Sequence, residues 1–180
     1  RIMGLDNIKS IEPEKNRIKP TLNFYQKHFH LAQRSVASKG YFETVTWSFT
    51  DENLNDNFKE DIDTIKIVNP ISSDLNVLRN SLYPNLIFYM QKNSKRGFND
   101  QSLFEIGPVF IGKKPGEQIT VVCGLKRQSG SDKQSLQIDV FEIKKDLVQT
   151  LVELGIDKNE FKIEDKTPSY YHPGISGSVY

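Results

Sequence analysis

Ser102-Leu103-Phe104-Glu105-Ile106-Gly107-Pro108-Val109-Phe110-Ile111, a turn-like Gly112 to Gly116, and then Gln118-Ile119-Thr120-Val121-Val122-Cys123-Gly124-Leu125-Lys126 is the stretch whose reading decides the fold. Two apolar-rich runs joined by a Gly- and Pro-containing connection predict neighbouring antiparallel strands. A third run, Leu136 to Phe141, comes after a second turn-like connection at Gln128 to Lys133, so the segment predicts an antiparallel meander. Upstream, Ser81 to Asn93 carries Leu82, Leu86, Tyr89 and Met90 at helical spacing, with Pro84 acceptable only in the first turn. Before it lie a short strand, Ile65 to Val68, closed by Asn69-Pro70, and an acidic segment, Asp51 to Asp63, whose Leu54 and Phe58 predict one short surface helix. Asn69 to Asp74 reads as a turn whose side chains cap the next segment.

Further out, Phe42 to Phe49 alternates apolar and polar residues and predicts a half-buried strand. Thr21 to Lys39 places Leu22, Tyr25, Phe29, Ala32 and Val36 on one helical stripe, with Gly40 where a left-handed cap belongs. Arg1 to Lys19 is polar and irregular, an extended lead-in or linker. On the other side, Lys145 to Gly155 predicts a helix striped by Leu147, Leu151 and Leu154, and Phe161 to Ile163 a short strand. The last residues, Gly177 to Tyr180, read as one more strand, and with Arg1 as the first residue the chain reads as a piece of a longer protein. Helices segregated from a run of strands predict an α+β fold, helices packed on one face of a mostly antiparallel sheet.

Composition permits one ordinary core. A chain of 180 residues, 37% hydrophobic and 26% charged, suits one globular domain better than two. Lys and Arg number 24 against 23 Asp and Glu, which disfavours a histone-like or polyacidic partner while leaving room for local patches. One cysteine, Cys123, leaves no disulfide framework and no cysteine-based zinc site, and its apolar setting predicts a buried, inert thiol. Apolar runs such as Ile119 to Leu125 are far too short to span a membrane, so the expected location is cytoplasmic.

The chain carries no phosphate-loop motif, no dinucleotide fingerprint, no nucleophile elbow and no His-Glu-x-x-His pair. His28 and His30 would point about 200° apart on a helix, which prevents joint metal binding. His172, in Tyr170-Tyr171-His172-Pro173-Gly174, reads as a structural turn histidine. Lys92, Lys95 and Arg96, interleaved with Tyr89 and Phe98, form the densest basic patch. It either offsets a helix dipole or neutralises RNA phosphates while an aromatic stacks on a base.

Several of these segments resemble the β subunit of bacterial phenylalanyl-tRNA synthetases. The most specific is Asn69-Pro70-Ile71-Ser72-Ser73-Asp74 followed by Val77-Leu78-Arg79-Asn80-Ser81-Leu82-Tyr83-Pro84-Asn85-Leu86. Ser102 to Phe110, Gly40 to Phe49, Arg1 to Ile8 and Tyr171-His172-Pro173-Gly174 are similar to further family segments, in family order along the chain. The resemblance implies that residues 1–15 end an upstream B5 module or linker. It implies that residues 16–180 form a core related to the class II aminoacyl-tRNA synthetase catalytic domain, an antiparallel β-sheet flanked by helices, truncated at its C-terminal end.

The resemblance further implies that this core is not itself catalytic. The α subunit of an (αβ)2 heterotetramer would activate phenylalanine with ATP and Mg2+ and charge tRNA(Phe), and the β core would pack against it. A class II site needs an arginine on a strand-turn-strand motif to hold the α-phosphate, yet Leu103 to Phe110 contains Glu105 and no arginine. Ile175 follows His172-Pro173-Gly174 where the family usually has arginine, and a tryptophan and aspartate of the family correspond here only to Asp139-Val140-Phe141-Glu142. No catalytic, substrate or metal residue is therefore assigned, and no cofactor is expected in this segment. Tyr25, Phe29 and Trp47 are the candidate subunit interface, and Lys92, Lys95 and Arg96 the candidate tRNA contact. Two alternatives remain: a domain that retains its own ATP or amino-acid binding, and an RNA-binding module built on the basic patch.

Overall fold

Asn23 starts the first helix of the structure, a computed structural model that describes residues 4–12, 21–58, 62–128 and 140–180. The Asn23 side chain accepts from the Gln26 N–H and Gln26 returns the bond to the Asn23 N–H, both at 2.9 Å. This reciprocal cap opens α1 (Phe24–Ser38), and Gly40, at φ 84°, ends it as the sequence predicts. The chain then forms β1 (Phe42–Glu43), β2 (Phe49–Thr50), α2 (Glu52–Asp56), β3 (Ile65–Lys66), β4 (Val77–Leu78) and α3 (Tyr83–Ser94). It continues through β5 (Gln101–Phe110), β6 (Gln118–Arg127), α4 (Val140–Glu153), β7 (Ile163–Glu164) and β8 (Ser178–Val179). Among the described residues no helix is long and apolar enough to cross a membrane.

The hairpin read from the sequence is present at full length. β5 and β6 pair antiparallel from Gln101↔Arg127 to Phe110↔Gln118. Around it the strand order is β1-β5-β6, with β1 parallel to β5. That one parallel pair comes from the connection: the chain leaves β1 and returns at β5 only after passing through α3, a crossover long enough to permit it. A second sheet, β2-β4-β3, is antiparallel, and β7 pairs with β8.

Helices cover both faces of the main sheet, not one. On one side Leu82, Leu86 and Met90, from the start and body of α3, pack with Leu103, Val109 and Cys123. On the other, Val36, Tyr41 and Phe104 form a second cluster with Ile106. Alternation along β5 makes this work, because Leu103 and Val109 face one way while Phe104 and Ile106 face the other. On that second side Lys126 reaches Glu142 at 2.6 Å and Asp146 at 2.7 Å and lies 4.8 Å from the Tyr41 ring centre, which ties α4 to the sheet.

Two expected elements change. The strand over Phe42 to Phe49 is only the two short pieces β1 and β2, because residues 45–47, between the Thr44 N–H bond to Phe104 O and the Arg79 N–H bond to Ser48 O, leave the ladder to satisfy the buried polar groups of Glu105 and Arg79. Of the third meander strand, Leu136 to Asp139 lie outside the described residues, and Val140 and Phe141 are already the first turn of α4. The Leu147 and Leu151 stripe extends back through Ile143 and Val140 at helical spacing, so the helix begins at Val140 and not at Lys145. Asn69 to Asp74 is a turn as predicted, but a strand comes after it, and Asn76 is the residue that accepts a backbone N–H, that of Glu52 at 2.9 Å.

Candidate docking surface

Glu105 is a carboxylate on the apolar side of β5, and such a group must be paired where it is buried. Arg79, just after β4, supplies the charge: Nη1 donates to Glu105 Oε1 at 2.7 Å, with both side chains buried. Thr46 donates through Oγ1 to Glu105 Oε2 at 2.7 Å. The same guanidinium donates through Nε to the Pro108 carbonyl at 3.0 Å, and through Nη1 to Thr46 Oγ1 at 2.9 Å and the Trp47 carbonyl at 3.3 Å. Asn85, in the first turn of α3, donates to Thr46 Oγ1 at 2.9 Å and the Trp47 carbonyl at 2.7 Å. Gly107 makes room for this hub, since a Cβ there would lie 2.5 Å from Arg79 Nη2. Among the described residues no buried side-chain nitrogen or oxygen lacks a partner.

The hub explains the irregular course of residues 45–47. Thr46 turns inward to Glu105, so its neighbours Val45 and Trp47 turn outward, 91% and 60% exposed. Trp47 lines a groove of about 490 Å³ with Phe49, Leu54, Leu75, Phe88 and Tyr89. Asp51 and Asp74 are also part of its lining.

Next to this segment, α1 and β1 are joined by the Gly40 turn and clipped by Gln33, which donates to both carboxylate oxygens of Glu43 at 2.7 and 2.8 Å. Seven residues of helix before Gly40 rise about 10 Å, and three residues of strand after it cover about the same length. The clip therefore fits a helix and strand running back along each other between Gln33 and Glu43. Phe24 and Tyr25 on α1, and Phe42, Val45 and Trp47 on the 42–47 segment, are all exposed large apolar side chains. Tyr25 is 81% exposed. Phe29 is half-buried and lines a separate cavity with His28, Ile106 and Val122. Tyr25 also lines that cavity. Of the three residues assigned to an interface, Trp47 thus lines the groove beside α3, and Tyr25 and Phe29 line the separate cavity over β5 and β6.

Lys92, Lys95 and Arg96 come together at the end of α3, all exposed, with Lys92 Nζ 5.9 Å from the Tyr89 ring centre. One cation near a helix C-terminus offsets the dipole by about 0.3–1 kcal/mol, whereas like charges three or four residues apart repel by about 0.2–0.5 kcal/mol.

Each histidine has a local partner. His28 stacks on Phe24 with ring centres 4.0 Å apart, His30 contacts Gln33 at 3.3 Å, and His172 Nδ1 accepts from the Gly174 N–H at 3.1 Å. Among the described residues no three His, Cys, Asp or Glu side chains are placed to hold a metal ion. Cys123 is buried beside Tyr83, and burial, with the Glu105 charge adding to it, pushes its thiol up to about 12. A group whose neutral form is favoured by the fold contributes stability fully below its ordinary value near 9, and that contribution is lost as pH rises toward 12. Cys123 should accordingly resist a thiol reagent such as DTNB at pH 8 in native protein and react at once in denaturant; immediate native labelling would contradict its burial.

Sequence reasoning finds the exposed aromatics but not the hub. Glu105 on an apolar strand is the available signal, because it demands a cation, and Arg79 in the Val77 to Leu86 run is the one to test.

Comparison with known proteins agrees with this architecture. Residues 8–180 match the family model described as the phenylalanyl tRNA synthetase beta chain CLM domain. Phenylalanine–tRNA ligase β subunits are similar along the chain: that of Paramagnetospirillum magneticum is 35% identical over 99% of this chain and 23% of the relative. The Bartonella henselae protein is 36% identical over 99% of this chain and 24% of the relative, and the Cereibacter sphaeroides protein 37% over 89% and 20%. The chain thus spans about a quarter of the length of these relatives. Among solved structures, the pyrrolysyl tRNA synthetase PylSc of Desulfitobacterium hafniense has the same fold, with a TM-score of 0.59 at 14% identity over 78% of this chain and 48% of that one. The fold is that of a class II synthetase core, and the chain belongs to the phenylalanyl-tRNA synthetase β chain CLM domain family.

Proposed function

We infer that residues 16–180 are a non-catalytic core of a phenylalanine–tRNA ligase β subunit, and that residues 1–15 close the module before it. The core docks the α subunit, which activates phenylalanine with ATP and Mg2+ and charges tRNA(Phe) in an (αβ)2 assembly in the cytoplasm. The observation that carries this reading is the buried hub. Where the class II pattern calls for a phosphate-binding arginine, β5 offers Glu105, and the nearby Arg79 directs its hydrogen bonds inward to Glu105, Thr46, Trp47 and Pro108.

These residues do not fit a nucleotide triphosphate. A guanidinium already paired and buried would have to break its ion pair to reach a phosphate, leaving an uncompensated buried carboxylate. What remains available at the surface is the apolar edge of α1 and β1, and aromatic anchors of this kind dominate protein–protein contacts. Docking there would place both structural elements against the partner at once. Isothermal titration of the full-length β subunit with ATP–Mg2+ and with phenylalanine should give no binding heat at micromolar ligand. Saturable heat abolished by Arg79→Ala in folded protein would establish a retained nucleotide site and overturn the inactive reading.

A further inference from the structure

We propose that the end of α3 is an RNA-binding patch, in which Lys92, Lys95 and Arg96 neutralise backbone phosphates and Phe98 stacks on an unpaired base. The helix end has no structural need for three cations. Its last carbonyls are closed by the chain itself: Phe98 N–H donates to Asn93 O at 3.1 Å and Gly97 N–H to Ser94 O at 3.0 Å, with Gly97 at φ 93°. Gln101 adds further closure, donating to the Met90 carbonyl at 3.0 Å and the Phe98 carbonyl at 2.6 Å. Ser94 Oγ also donates to the Met90 carbonyl, at 3.0 Å.

The cations are therefore left over. Among the described residues none of Lys92, Lys95 and Arg96 forms an ion pair with a carboxylate, and Lys95 and Arg96 are sequence neighbours. A fourth cation joins them from β6, where Arg127 donates through Nη1 to Ser94 Oγ. In a chain with 24 basic and 23 acidic residues this local excess is a real departure from neutrality. Phe98 is 65% exposed directly after the Gly97 turn, which presents an aromatic face beside the charges. Clustered cations next to an exposed ring are the combination that tracks a flexible phosphate backbone while stacking on bases, and an apolar protein partner would leave the same cations desolvated and unpaired. The proposal is independent of the docking edge, which uses none of these residues.

The test is filter binding of the full-length protein to labelled tRNA and to a labelled oligouridine, across a series of salt concentrations. Each phosphate contact contributes about 0.7–0.9 to the slope of log affinity against log salt. K92Q/K95Q/R96Q should lower the slope by about 2–3 and the affinity at 0.1 M salt by about two orders of magnitude. Phe98→Ala should weaken oligouridine binding by about tenfold with the slope unchanged. K92R/K95R, which keeps the charge, should retain the slope. An unchanged slope in the glutamine variant would overturn the proposal. So would intact RNA binding combined with lost co-purification of the α subunit, because the patch would then be a protein contact.

Discussion

Arg79→Ala is expected to cost the domain about 3–5 kcal/mol, the range for removing one partner of a buried ion pair. The reason is what stays behind. Glu105 keeps its carboxylate in the interior with only Thr46 to satisfy it, and the Pro108 carbonyl loses the Arg79 Nε donor. The backbone links of the same residue, Arg79 N to Ser48 O and Phe110 N to Arg79 O, would survive the substitution but would join elements no longer held by the side chain. For a domain of this size the loss corresponds to a fall in Tm of roughly 10 °C, readable by calorimetry on the full-length chain. Adding Glu105→Gln should recover part of it, since an amide buried without a counter-charge costs less than a carboxylate. An Arg79→Ala variant as stable as the parent would show that the hub does not hold the fold.

The second large effect falls on association. Tyr25→Ala combined with Trp47→Ala should weaken binding of the β subunit to its α partner by about 100-fold or more, with little change in stability. Both side chains are exposed in this structure, so truncating them empties no cavity, whereas hot-spot aromatics buried at an interface cost about 2–4 kcal/mol each. Phe29→Ala serves as the contrast. Phe29 is half-buried against the sheet side of α1, so its loss should lower stability as well as affinity. Surface plasmon resonance with immobilised α subunit separates the two, and equal affinity of the Tyr25/Trp47 double variant and the parent would remove these anchors from the interface.

The elements that the sequence states clearly are those with local causes. α1 is legible because its apolar spacing and the Gly40 turn are within one segment, although the helix starts at Phe24, behind the Asn23 cap, and not at Thr21. The β5–β6 hairpin is legible because two long apolar runs flank a Gly- and Pro-rich turn. The 45–47 segment is not legible in the same way. Its alternating pattern would make a good strand, and only Glu105 and Arg79, distant in sequence, draw Thr46 inward and break the ladder. The parallel pairing of β1 with β5 is likewise a tertiary fact, set by a crossover and not by any residue of β1. The sequence places the start of α4 too late because Val140 and Phe141 are as compatible with a strand as with a helix, and packing on the sheet decides between them. At the candidate site the exposed aromatics can be named from residue type, whereas their separation into two concavities depends on which side of the α1–β1 edge each side chain takes.

Hydrogen–deuterium exchange of the full-length β subunit, alone and bound to its α partner, reads docking through the α1–β1 edge segment by segment. Binding should slow exchange in residues 24–29 and 42–47 and leave the end of α3 at 92–98 unchanged. Unchanged exchange at 24–29 and 42–47 in a fully formed complex would place the α subunit elsewhere and contradict docking at this edge.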